Sequence, residues 1–169
     1  MSPMLHLADE RATRELGKAM AAVLAGTVWP PALLLQGVLG SGKTTLVRGL
    51  VGALPGSELA EVSSPSFNIC NLYPTTPPVA HYDLYRLENM PPDEGLLERL
   101  EDRDTLLVVE WAQFLDRELW PEEALVLTWS PTRTGRTLDM HAMGKTARGV
   151  LDSLAGTFDQ FSQQSTGLL

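Results

Sequence analysis

Ala32-Leu33-Leu34-Leu35-Gln36-Gly37-Val38-Leu39-Gly40-Ser41-Gly42-Lys43-Thr44-Thr45 is the stretch that decides the fold. Its first five residues are an apolar run bounded by Pro30-Pro31 and Gly37, and they read as a buried strand. The next eight match G-x-x-x-x-G-K-[ST] at Gly37, Gly42, Lys43 and Thr44. Glycines let successive backbone N–H groups face one anion. The helix expected to follow, over residues 45–54, adds free N–H groups and a positive dipole end. Lys43 supplies a compact charge for the β- and γ-phosphates, and the Thr44 hydroxyl suits a hard cation such as Mg²⁺. At the usual glycine frequency the pattern arises by chance in on the order of one chain in two hundred. The strand before it and the helix-compatible stretch after it make coincidence a poor account.

Upstream, residues 9–25 read as an amphipathic helix. Ala12, Leu16, Met20, Val23 and Leu24 recur at helical spacing, and Asp9 and Glu10 suit its first turn. Downstream, Pro55-Gly56 stops the second helix. Ser63-Ser64-Pro65-Ser66 is turn-like, and strands are expected over residues 67–73 and 79–83. Residues 92–101 suggest a short helix with Leu96, Leu97 and Leu100 inward. Leu106-Leu107-Val108-Val109 is a second continuous apolar run and predicts a central strand buried on both faces. Residues 124–129 and 137–142 predict strands joined as a hairpin, and residues 145–154 a closing helix. The expected fold is α/β: a P-loop NTPase with a mostly parallel central sheet, flanking helices and an antiparallel C-terminal hairpin. One domain is expected over residues 1–155, with a poorly ordered tail over 156–169, where Gln, Ser and Gly are frequent.

A P-loop enzyme needs an acidic group beside its metal, at the end of a neighbouring strand. The apolar run ends on Glu110, then Trp111, and would deliver Glu110 to the sheet's carboxyl edge, where open α/β sheets bind ligands. The bland alternative is a solvated glutamate at an ordinary strand end. His81-Tyr82-Asp83-Leu84-Tyr85-Arg86 is a second polar cluster. In a strand over 79–83, His81 and Asp83 share one face. Asp83 could orient a metal-bound water or act as a base, and Arg86 could pair with a phosphate or with Asp83. A structural salt bridge at a strand end would account for the same spacing. Ser64-Pro65-Ser66 lies between the loop and the Asp83 strand, where a hydroxyl can respond to a γ-phosphate, and Ser66 is the candidate switch residue.

The 169 residues carry 21 acidic and 13 basic side chains, a formal charge of −8. Such a surface is a poor general binder of nucleic acid, so any RNA is expected to be held mostly by another subunit; solubility alone also accounts for the charge. Cys70 is the lone cysteine, which excludes an intrachain disulfide and fits a reducing compartment. The first residues lack a basic region followed by an apolar one, and no apolar run approaches the length of a bilayer span. The cytoplasm is the expected location.

Taken together, these pieces resemble the bacterial TsaE (YjeE) family, small P-loop ATPases required for threonylcarbamoyladenosine formation in transfer RNA. The matching residues are the loop from Gly37 to Thr45, Ser64-Pro65-Ser66-Phe67, His81-Tyr82-Asp83-Leu84-Tyr85-Arg86 and Val109-Glu110-Trp111, in the family's order and spacing. Gly135-Arg136 resembles a Gly-Arg pair in the family's C-terminal strands. The resemblance covers roughly residues 7–154. It implies that Gly37, Leu39, Gly40, Ser41, Gly42, Lys43, Thr44, Thr45 and Arg136 contact ATP, and that Thr44 and Glu110 ligate Mg²⁺. Lys43, Asp83, Glu110 and Trp111 are then the residues expected to serve hydrolysis or partner coupling. The implied partners are the TsaD and TsaB proteins. TsaD transfers the threonylcarbamoyl group to an adenine beside the anticodon, and the family's ATPase drives or resets that complex, meeting tRNA only through it.

Two positions depart from the family. Val38 stands where the family usually has Asp, and Ser66 where it usually has Thr. The first removes whatever hydrogen bond that Asp makes; the second keeps the hydroxyl and drops a methyl. Two other readings compete: a small P-loop kinase, and a nucleotide-binding assembly module without significant turnover. A kinase usually carries an arginine-bearing lid, whereas Arg99, Arg103 and Arg117 are scattered among acidic residues. No residue reads as an in-cis arginine finger, worth ~10³-fold or more, so weak hydrolysis by the isolated chain is expected.

Overall fold

A computed structural model describes residues 2–162. The chain runs β1 (Met4–Leu7), α1 (Glu10–Leu24), β2 (Ala32–Gln36), α2 (Lys43–Ala53), β3 (Cys70–Tyr73), β4 (Val79–Asp83), α3 (Glu94–Glu101), β5 (Leu106–Glu110), β6 (Ala124–Pro131), β7 (Arg136–Met143), α4 (Lys145–Ala155) and α5 (Asp159–Ser162), with short 3₁₀ turns between. All seven strands form one sheet in the order β1-β7-β6-β2-β5-β4-β3. The central strands β6, β2, β5 and β4 are mutually parallel. β7 pairs antiparallel with β6, and β1 and β3 are antiparallel edges. This is the expected mostly parallel sheet with an antiparallel hairpin.

The apolar runs read as central strands are central because both their faces are covered. In β5, Leu106 and Val108 join one core with α1 and α2, whereas Leu107 and Val109 join a second core with Leu96 of α3. Alternation therefore turns Glu110 toward the face that carries α2. The α1 N-terminus is capped by Asp9, whose side chain accepts from Ala12 N at 2.8 Å. Helices α1 and α2 pack backbone to backbone. A methyl at Gly17 would collide with the Leu46 carbonyl oxygen, and one at Gly49 with that of Arg14.

Several sequence expectations change. Helix α2 begins at Lys43, two residues early, so Lys43 and Thr44 are themselves in its first turn. β3 is shorter than residues 67–73, because residues 66–68 turn and Ile69 takes a positive φ of 66°. Leu97 does not face inward: it is 39 % exposed, and Leu96 alone of α3 is fully buried. β1 was not anticipated; four residues with Leu5 and Leu7 inward carry too short an alternation to read. The stretch from Gly156, expected to be poorly ordered, instead turns through residues 156–158 into α5 (Asp159–Ser162), with Phe158 and Phe161 in the α1–α2 core. The remainder of that expectation, residues 163–169, lies outside the described residues.

Candidate functional site

The sheet's carboxyl edge opens into a cavity of about 650 Å³. Leu39, Gly40, Ser41, Gly42, Lys43, Thr44 and Thr45 line it from the loop and from α2. Asp83, Glu110 and Trp111 line it from strand ends, and Arg136 from β7. These sequence-chosen residues thus converge on one space. Gly37 is not in the lining; its carbonyl accepts from the Lys43 ammonium instead, at 2.8 Å. Ser66 is not in the lining either, and Ser64 takes the place beside the acidic pair.

The loop has the geometry its glycines permit. Gly40 and Gly42 sit at φ 73° and 113°, backbone that a side chain resists. Lys43 curls across the loop, donating to the carbonyls of Gly37 and Val38 at 2.8 and 2.9 Å and to Ser41 Oγ at 3.2 Å. Its Nζ also lies 4.2 Å from the centroid of the Trp111 ring. Burial pushes the Lys43 ammonium below the ordinary lysine range, and the carboxylates of Glu110 and Asp83 oppose that shift. The Val38 side chain is 58 % exposed, so its departure from Asp disturbs no packing of the loop.

Both acids of the site are buried, Glu110 at 2 % exposed and Asp83 at 5 %. Thr44 Oγ1 donates to both oxygens of Glu110, at 2.9 and 3.1 Å. His81 Nε2 lies 2.7 Å from Oε1, and the Tyr73 hydroxyl 3.3 Å from His81 Nδ1. Asp83, opposite Glu110 in the β4–β5 register, is held differently. Its Oδ2 accepts from Ser64 Oγ at 2.8 Å and its Oδ1 from the Tyr85 N–H at 2.9 Å. Arg86 does not pair with Asp83; its guanidinium lies 4.8 Å over the exposed Phe67 ring. Trp111 follows Glu110 in left-handed backbone, φ 58°, which ends the strand and swings the indole over Lys43. Phe114 stacks on the indole with ring centroids 5.5 Å apart.

Among the described residues no group of three or more His, Cys, Asp or Glu forms a metal cage. Magnesium needs no such cage in nucleotide sites, where one or two protein oxygens complement phosphate and water. Thr44 and Glu110 are a hard-oxygen donor set of that kind, already within 3.1 Å of one another. Sequence reasoning did not place one wall of the cavity in the site: Leu7, Ala8, Asp9 and Glu10 with Thr132, Arg133 and Gly135, of which only Gly135 was quoted for the resemblance, beside Arg136. That wall exists because β1 pairs with β7 (Leu7 opposite Arg136) and because Gly135 presses against the Leu7 carbonyl. No local signal in the sequence marks the pairing. His81 was singled out without a partner, and Tyr73 was missed.

A family model described as "Threonylcarbamoyl adenosine biosynthesis protein TsaE" matches residues 7–138. The chain belongs to the TsaE family. It is 38 % identical over 117 residues to the tRNA threonylcarbamoyladenosine biosynthesis protein TsaE of Streptomyces coelicolor, covering 63 % of this chain and 71 % of that one. It is 35 % identical over 123 residues to the protein of the same name from Rickettsia felis, covering 70 % of this chain and 67 % of that one. The crystal structure of Bacillus subtilis YdiB superposes with a TM-score of 0.72 at 24 % identity, covering 93 % of this chain and 97 % of that one. That likeness establishes the fold. The family match ends inside β7, so α4 and α5 lie beyond it.

Proposed function

We propose that this protein is the Mg²⁺-dependent ATPase subunit of the bacterial machinery that forms N6-threonylcarbamoyladenosine in tRNA, driving or regulating a TsaB–TsaD complex. The observation that carries the reading is the convergence of Lys43, Thr44 and Glu110 at one edge of a P-loop sheet, in a chain of the TsaE family. The relatives' names supply the pathway, and the site supplies the chemistry.

In this reading the loop N–H groups and the α2 N-terminus would hold the β- and γ-phosphates, with Lys43 supplying positive charge. The Thr44 hydroxyl and the Glu110 carboxylate would hold Mg²⁺, whose charge when bound would offset that of the phosphates. Asp83 orients the attacking water or takes its proton. Arg136 reaches the nucleotide from β7, and the wall formed by residues 7–10 and 132–135 receives the nucleoside. Trp111 covers Lys43 and excludes water from it. The chain acts in the cytoplasm and meets tRNA through its partners, which suits its charge of −8.

The three arginines weighed for a kinase lid lie elsewhere; the arginines that line the cavity are Arg133 and Arg136, at the β6–β7 hairpin. Arg99 is paired with Asp102 at 3.0 Å, Arg103 lies over Trp29 and Arg117 over Trp120, and none of the three lines this cavity. The test is single-turnover ATP hydrolysis by the pure chain and by the chain reconstituted with TsaB and TsaD. Slow hydrolysis alone and marked acceleration in the complex are expected. Fast turnover by the isolated chain would contradict the partner-dependent reading. Tight ATP binding with no turnover in the complex would favour an assembly module.

A further inference from the structure

Glu110 poses a problem that Thr44 does not solve. The terminal torsion of a glutamate is broad and roughly two-fold, so packing alone does not fix the plane of its carboxylate. The Thr44 hydroxyl sits almost evenly between the two oxygens, at 2.9 and 3.1 Å, and does not choose between them. His81 does choose: its Nε2 lies 2.7 Å from Oε1 and no bond to Oε2 accompanies it. With Glu110 as an ionised acceptor, this bond takes the tautomer that is protonated on Nε2.

The imidazole is itself fixed. His81 is fully buried in β4, and its other nitrogen meets the Tyr73 hydroxyl at 3.3 Å. With Nδ1 bare, the one phenolic proton goes to the imidazole; the Asn71 amide holds the Tyr73 oxygen at 3.5 Å and donates to the Ser63 carbonyl at 3.2 Å. The β3–β4 register sets Asn71 opposite His81, and β4–β5 sets His81 opposite Val108, two residues before Glu110. The chain from Glu110 through His81 to Tyr73 therefore rests on three adjacent strands rather than on a loop.

We infer that His81, held by Tyr73, is a positioning residue that pins Glu110 Oε1 and so presents Oε2 and the Thr44 hydroxyl together as the oxygen pair for Mg²⁺. The inference rests on the assignment of Glu110 to the metal. Hydrogen-bond partners of a ligating carboxylate commonly govern metal affinity by 10–100-fold.

The experiment uses the full chain with bound ATP and reads three quantities: the Mg²⁺ midpoint, nucleotide affinity in EDTA, and the protonated ring nitrogen of His81 by ¹⁵N NMR. His81→Leu is expected to raise the Mg²⁺ midpoint by about 10–100-fold and to leave EDTA affinity unchanged. His81→Gln, whose amide N–H can occupy the Nε2 position, restores most of that loss, and Tyr73→Phe gives a smaller rise. In the wild type the proton is found on Nε2. A folded His81→Leu protein with an unmoved midpoint, or a wild-type His81 with its only proton on Nδ1, overturns the inference. If His81→Leu does not fold, His81→Gln, Tyr73→Phe and the ¹⁵N measurement decide it. Glu110→Gln separates the two levels. A shifted midpoint in Glu110→Gln beside an unmoved one in His81→Leu sinks the positioning role alone; unmoved midpoints in both sink the metal assignment with it.

Discussion

Asp83 and Glu110 end neighbouring parallel strands and face each other in register, yet they are held by different kinds of structure. Glu110 is gripped from inside regular elements, by Thr44 in the first turn of α2 and by His81 within β4. Asp83 is gripped by Ser64, in a segment without regular secondary structure, and by the backbone of the turn that follows its own strand. Core strands and helices open far more rarely than loops. A carboxylate meant to hold a metal in fixed geometry gains from the first arrangement. One whose contacts change with the state of the site is better served by the second.

The contrast is broken or sharpened most strongly by neutralising each acid without changing its shape. Glu110→Gln is expected to raise the Mg²⁺ requirement by on the order of 100-fold or more, since losing a ligand costs at least what losing its supporting partner does. Asp83→Asn is expected to leave the Mg²⁺ titration nearly unmoved, while turnover in the reconstituted complex falls by about 10²-fold. Equal Mg²⁺ shifts in the two variants would erase the distinction between the strand ends. The smallest effect belongs to Ser64→Ala. It removes one hydrogen bond from Asp83, worth about 1 kcal/mol, and should lower Tm by about 2–4 °C in a chain of this size. A Ser64→Ala protein that loses Mg²⁺ affinity as Glu110→Gln does would show that the segment supports both acids.

The same contrast marks how far the sequence could be read. Thr44 and Glu110 were legible because each belongs to a local pattern: a glycine-rich loop, and an apolar run ending on a carboxylate. Their contact follows once β2 and β5 are neighbours, which two runs buried on both faces already suggest. His81 was visible only as a polar residue at the right alternation. Its bond to Glu110 depends on the register of β4 against β5, which nothing local encodes. The part of the lining formed by residues 7–10 and 132–135 was hidden for a similar reason, because it needs β1 to close against β7. The choice of Ser66 over Ser64 as the responsive hydroxyl turned on two residues of loop geometry. Only Ser64 reaches an acid, and a role for Ser66 stays a proposal. The region after Gly156 misled through composition: Gln, Ser and Gly dominate it, but Phe158 and Phe161 supply enough apolar surface to dock a short helix.

The phosphate loop underlies every functional step above, and Lys43 is the side chain through which it is tested most directly. The decisive measurement is calorimetric titration of ATP, with Mg²⁺, into the wild-type chain and Lys43→Ala. The account expects clear binding by the first and loss of most affinity in the second, with both proteins folded. Unchanged affinity in Lys43→Ala would contradict the assignment of residues 37–44 as the phosphate site, and with it the proposed ATPase.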